Sequence, residues 1–280
     1  MTKTLLCIGF GYSARALATA LTDWNIIGTT RCTSNHENIQ AMGVTPVTWP
    51  GSDIRPALER ASHLLISAAP TDTGDPFLNA VDLTRYNFSW VGYLSTTGVY
   101  GDHQGKWVDE TTPLTPSTQR GKLRVQAEQQ WQRQDIPLHI FRLAGIYGPG
   151  RGPFAKVRNG TARRIIKPDQ IFSRIHVDDI AQVLAASIAQ PNPQAIYNVC
   201  DNDPAPPQDV IAYAAELLGC PIPVAEDINT AEMTPMARSF YAESKRVDNR
   251  KMLTELQITL KYPSYKDGLQ ALLRDESRFP

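Results

Sequence analysis

Apolar residues in this chain fall into short runs separated by longer stretches of mixed character. The runs cover residues 4–8, 26–29, 44–48, 63–67, 90–94 and 138–143, and most are built from Leu, Ile and Val. Continuous apolar runs of this length predict strands buried on both faces, as in the middle of a parallel sheet. Between them the apolar spacing changes to that of a helix. Helices are predicted over 13–21, after Asn35, after Asp53, near 76–86, and from Ser117 to about Gln134. Alternation of strand and helix predicts an α/β fold: a doubly wound sheet of six or seven mainly parallel strands covered by helices.

Beyond Gly145 the texture shifts. Proline and glycine become dense in GIYGPGRGPF, which suggests an excursion away from the sheet. A helix is expected after it, capped by Asp178, with Ile180, Val183, Leu184 and Ile188 as its apolar stripe. A strand over 196–200 and a helix over 209–218 follow. Residues 1–150 are read as the core domain, with segments around 175–200 returning to it. Residues 151–174 and 201–280 are read as a smaller, substrate-binding C-terminal lobe over the carboxyl ends of the strands.

Charge narrows the options. Lys plus Arg and Asp plus Glu each total 28, so the formal net charge is zero. That balance argues against a nucleic-acid binder or a membrane-surface protein, though not against a local basic pocket. No stretch reaches the length of a membrane span, and the first apolar run is too short for a secretory core. The four cysteines and five histidines show no ligand spacing. The expectation is a cytoplasmic protein without a metal.

Candidate chemistry begins where the first strand ends. Gly9-Phe10-Gly11-Tyr12-Ser13-Ala14 is a GxGxxA loop at the first strand–helix junction. Gly9 permits the tight turn, Gly11 lets a diphosphate approach the backbone, and small Ala14 lets the helix pack close to the strand. Tyr12 and Ser13 open the helix, whose free N–H groups and positive dipole end favour an anion. This is the Rossmann arrangement, and it predicts a nicotinamide dinucleotide. The second strand ends Gly28-Thr29-Thr30-Arg31, with no Asp or Glu to accept from a ribose 2′-hydroxyl. Arg31 at that place suits a 2′-phosphate, with Thr29, Thr30 or Ser34 as hydroxyl donors, so NADP is expected rather than NAD. Ala68, Ala69 and Pro70 follow the fourth strand. They read equally well as a close approach to the cofactor and as a loop ended by proline.

Several segments together resemble the extended short-chain dehydrogenase/reductase family of NAD(P)-dependent epimerases and dehydratases. They are the GxGxxA loop, residues 94–101 (LSTTGVYG), Asp109-Glu110 before Pro113, and Arg142 with Tyr147-Gly148-Pro149-Gly150. Residues 174–179 (RIHVDD) and Tyr197-Asn198-Val199 complete the set. The resemblance implies catalysis by a Ser or Thr, a Tyr and a Lys. Thr96 matches the hydroxyl position. Anchored on Ala127-Glu128, the tyrosine position holds Arg120 and the lysine position holds Arg124. A guanidinium stays protonated, so Arg120 does not shuttle a proton as the tyrosine would. Arg124 retains the capacity to hold the nicotinamide ribose.

The two arginines read either as a clamp for an anionic substrate or as a solvated helix face. Tyr100, Tyr147, His176 and the Asp109-Glu110 pair are substitute proton donors by residue type, and each has a plain packing or turn role as its alternative. Two functions follow. One is an NADP(H)-dependent oxidoreductase or epimerase acting on a small anionic or sugar-like molecule. The other is a non-catalytic NADP(H)-binding sensor or regulatory module. By analogy with related proteins, the helix from Ser117 occupies the position that builds a homodimer.

Overall fold

The computed structural model describes residues 3–278. Its first half alternates strand and helix: β1 (Thr4–Ile8), α1 (Tyr12–Ala20), β2 (Asn25–Thr30), α2 (His36–Gln40), β3 (Thr45–Thr48), α3 (Arg55–Arg60), β4 (His63–Ile66) and β5 (Trp90–Thr96). Then come β6 (Trp107–Val108), α4 (Gln119–Gln132), β7 (Leu138–Leu143), β8 (Gly145–Tyr147), α5 (Phe154–Arg158), β9 (Arg164–Ile166) and β10 (Arg174–His176). The remainder is α6 (Val177–Ala189), β11 (Ile196–Val199), α7 (Pro207–Leu217), β12 (Ala225–Asp227), α8 (Pro235–Phe240), β13 (Arg246–Val247), α9 (Arg250–Glu255) and α10 (Tyr265–Arg278).

Seven strands form one sheet in the order β11-β7-β5-β4-β1-β2-β3. Every pairing in it is parallel. The doubly wound sheet read from the apolar runs is therefore present. The order reverses between β1 and β4, and such a switch point opens a crevice at the carboxyl ends of the strands. Side chains of β1 alternate between the two faces. Leu5 and Cys7 join a core with Ala14 and Leu17 of α1 and Val183 and Leu184 of α6. Leu6 and Ile8 join another with Leu58 of α3 and Ala127 and Trp131 of α4. Burying each such Leu or Ile contributes roughly 1.5–3 kcal/mol. A third apolar cluster links Tyr147, Phe154, Val210, Ala214 and Leu269, away from the sheet. Among the described residues no helix is long and apolar enough to cross a membrane.

Two expectations need correction. No helix spans 76–86. The buried Asp75 carboxylate accepts from the amides of Phe77 and Leu78 and from Trp131 Nε1, which fixes a single turn. Asp82 then accepts from the Thr84 amide and starts a separate short 3-10 turn, Leu83–Arg85. Nor does Asp178 cap α6. The cap is His176, whose Nδ1 accepts from the Asp178 amide at 3.1 Å, because β10 runs extended up to His176 and the helix begins at once. Asp178 and Asp179 lie in the first turn, and Asp179 accepts from the amides of Lys261 and Tyr262.

Candidate functional site

The loop between β1 and α1 has the shape its glycines require. Gly9 has φ +87°, and its amide donates to Thr29 Oγ1 at 2.7 Å. Its open side lies against Ala68, whose nitrogen would be 3.1 Å from a Cβ placed on Gly9. A Cβ on Gly11 would meet nothing within 4 Å, so the space over the second glycine is open. Gly11 caps α1 without a side-chain hydrogen bond. The amides of Tyr12, Ser13 and Ala14 consequently have no acceptor among the described residues. Ser13 and Ala14 are buried, Ala14 within the core under β1.

At the end of β2, Thr29 is buried beneath the loop and serves Gly9. The Thr30 hydroxyl makes only long contacts, 3.4 Å, with the backbone of Cys32. Arg31 and Ser34 are exposed, and among the described residues no acid pairs with Arg31.

A cleft of about 680 Å³ opens beside this loop, over the carboxyl ends of the strands. Ser13, Ala69, Pro70, Thr96, Arg120 and Arg124 line it, so the structure brings these six sequence candidates together. Gly9, Gly11, Tyr12, Ala14, Thr30, Arg31 and Ala68 lie outside that lining. Lining residues to which the sequence reading gave no site role include Arg151, Arg174 (quoted only within the 174–179 segment), Phe240, Glu243 and Lys245. The charged lining is thus five cations against one carboxylate, and that carboxylate, Glu243, is held by Lys245 Nζ at 2.8 Å.

Thr96 Oγ1 accepts from the Gly98 amide at 3.1 Å, so its hydroxyl sits fixed at the cleft edge. Helix α4 approaches this segment closely. A Cβ on Gly121 would lie 2.7 Å from Gly98 O. Arg124 Nη1 donates to Leu94 O at 2.8 Å and Tyr93 Oη at 3.0 Å, with a longer contact to Ala68 O. That one nitrogen ties α4 to the ends of two strands, and its Nε and Nη2 have no protein acceptor among the described residues. Arg120 is exposed, and its side chain makes no hydrogen bond among the described residues.

The substitute proton donors are placed elsewhere or occupied. Tyr100 is fully buried, donates to Asn198 Oδ1 at 2.7 Å, and is pushed up to about 12 by burial. Tyr147 lines the cleft, but burial raises its phenol far above the usual range, and its hydroxyl donates to Ser264 O. His176 is buried at the α6 cap, and burial lowers it to about 4. Asp109 holds the 109–112 turn and Glu110 accepts from the Asn198 amide; both line a different cavity of about 570 Å³.

Behind the cleft lies a network the sequence did not reveal. Ser95 Oγ donates to Glu128 Oε1 at 2.5 Å, and Arg142 donates to both Glu128 oxygens at 3.2 and 2.8 Å. Arg142 Nη1 donates to Tyr100 Oη at 2.9 Å. Burial acts to lower the Arg142 pKa, but Glu128 and Tyr100 together outweigh it and the net direction is upward. The network joins β5, α4, β7 and β11 immediately under Thr96.

No protein-family model matches the chain. A conserved protein of unknown function from Silicibacter pomeroyi is 60% identical, with 98% of this chain and 99% of that one covered and a TM-score of 0.94. A candidate NAD-dependent epimerase/dehydratase from Methylobacillus flagellatus is 26% identical over 99% of both chains, with a TM-score of 0.72. The solved structures it resembles include NAD-dependent epimerases and dehydratases. The dTDP-glucose 4,6-dehydratase of Bacillus anthracis, solved in complex with NAD, shares the epimerase/dehydratase fold at a TM-score of 0.78. It is 17% identical, covering 100% of this chain and 97% of that one.

Proposed function

We propose that this chain is an NADP(H)-dependent oxidoreductase or epimerase of the epimerase/dehydratase type, acting on a small anionic or sugar-like molecule. The observation that carries the reading is the uncapped head of α1 under an open Gly11, with the unpaired Arg31 beyond the end of β2. Free amides and the helix dipole suit a diphosphate. An arginine without an acid suits a further phosphate. The dinucleotide supplies hydride chemistry when bound; the chain supplies position and charge. Thr96 orients a substrate oxygen, the remaining Arg124 donors hold the nicotinamide ribose, and Arg120 binds the anionic group of the substrate.

A second reading rests on the absence of a free acid in the cleft. Among its lining residues, Tyr147 is engaged with Ser264 and Glu243 with Lys245, and arginines do not exchange protons at working pH. That favours a non-catalytic NADP(H)-binding sensor. Calorimetry with NADPH and NADH tests the cofactor assignment. NADPH is expected to bind at least tenfold tighter, with the difference removed by Arg31→Ala; equal affinities in the unaltered chain would refute it. Cofactor turnover across carbonyl and sugar-nucleotide substrates separates the two readings: tight binding with no oxidation or epimerisation selects the sensor.

A further inference from the structure

The turn after β8 is pressed against the head of α1 at Tyr12. Tyr12, the first residue of α1, donates from its hydroxyl to Pro149 O at 2.9 Å. Gly148 and Arg151 exchange backbone hydrogen bonds of 3.0 and 2.9 Å, closing residues 148–151 into a tight loop. A Cβ on Gly148 would lie 2.5 Å from the Tyr12 hydroxyl and 2.7 Å from Val177 Cγ1, so only glycine lets the loop come this near.

The loop delivers Arg151. Its guanidinium carbon lies 5.8 Å from the centre of the Tyr12 ring, and its side chain lines the cleft together with Ser13. Arg151 is exposed, and among the described residues no carboxylate pairs with it. The head of α1 offers unpaired amides and roughly half a unit of positive charge. A dinucleotide's diphosphate carries about two negative charges, so a helix head alone leaves it under-compensated.

We propose that Arg151 is a clamp for the diphosphate, carried by the 148–151 loop to the open side of the helix head and closing on the anion from across the cleft. The proposal rests on the dinucleotide reading above and adds a contact from the chain beyond β8, outside the glycine loop. The diphosphate is common to both dinucleotides, so the clamp contributes to affinity without choosing between them. Arg31, by contrast, acts only where a 2′-phosphate is present.

The test is calorimetry of the full chain with NADPH and with NADH, on the unaltered protein, Arg151→Ala and Arg31→Ala. A charge-assisted contact of this kind is worth about tenfold or more in affinity. Arg151→Ala is expected to raise Kd for both nucleotides by the same factor, at least tenfold, with the melting temperature of the free protein unchanged. Arg31→Ala is expected to raise Kd for NADPH alone. If Arg151→Ala leaves both constants within twofold, or weakens only NADPH, the clamp is overturned. If the unaltered chain binds neither nucleotide, the dinucleotide reading falls and the clamp with it, a result visible before any substitution is made.

Discussion

Glu128→Gln is the most exacting perturbation of the frame that carries Thr96. Glu128 and Arg142 are 1% and 3% exposed and meet at 2.8 Å. The carboxylate also takes the Ser95 hydroxyl at 2.5 Å and a second Arg142 nitrogen at 3.2 Å, three donors in all. Glutamine keeps the shape but loses the charge and turns an NH₂ toward a guanidinium that can only donate. Arg142 is then a buried cation whose remaining side-chain partners, one amide oxygen and the Tyr100 hydroxyl, are both neutral. Breaking one side of a buried pair costs about 3–5 kcal/mol. That is a large part of the roughly 5–15 kcal/mol that holds a domain folded. Equilibrium urea unfolding, followed by fluorescence, reads the change as a lowered midpoint at constant slope. Replacing both partners, Glu128→Leu with Arg142→Met, removes the stranded charge and is expected to cost less than Glu128→Gln alone. A single substitution costing under about 1 kcal/mol, or a double costing the sum of its parts, would show that the pair does not tie α4 to β7 as described.

Three further outcomes follow. Asp201 is 1% exposed with Oδ2 unpartnered, and burial raises it to about 8. The folded state thus keeps a proton that the unfolded state has lost above about pH 4, and this group lowers stability by about 1.4 kcal/mol per pH unit until about pH 8. The unfolding free energy measured between pH 6.5 and 8, where histidines depressed by burial are neutral in the fold, should fall with pH and flatten in Asp201→Asn; an unchanged slope would contradict it. Gly121→Ala places a methyl 2.7 Å from Gly98 O, so α4 must retreat; a loss of about 1–3 kcal/mol in urea unfolding is expected, and none would mean the approach is loose. Arg120→Gln touches no protein partner and should leave the melting temperature and NADPH affinity unchanged; a weakened NADPH Kd would move Arg120 from substrate to cofactor.

The parts legible in the sequence are those whose cause is local. Strands β1, β4, β5 and β7 are continuous apolar runs because they are buried on both faces, and the glycine loop needs its residue types at adjacent positions. The two- and three-residue pairings β8–β10, β9–β12 and β6–β13 are too short to leave a period. Residues 239–247 border the cleft, and no period in their sequence marks which of them do so. They are held by polar contacts from far along the chain: Lys245 Nζ donates to Gly101 O, and the Ser244 amide to Asp102 Oδ1. Arg151 was hidden differently. Its segment was read as an excursion from the sheet, and only the meeting of Gly148 with Tyr12 shows that the excursion returns to the helix head.

The central claim is that a nicotinamide dinucleotide lies across the head of α1. A crystal structure grown with NADPH addresses it directly. The diphosphate should accept hydrogen bonds from the amides of the Tyr12–Ser13 turn over Gly11, with the 2′-phosphate on Arg31. Clear density for the nucleotide anywhere else, or a helix head unchanged at saturating NADPH, would contradict the account.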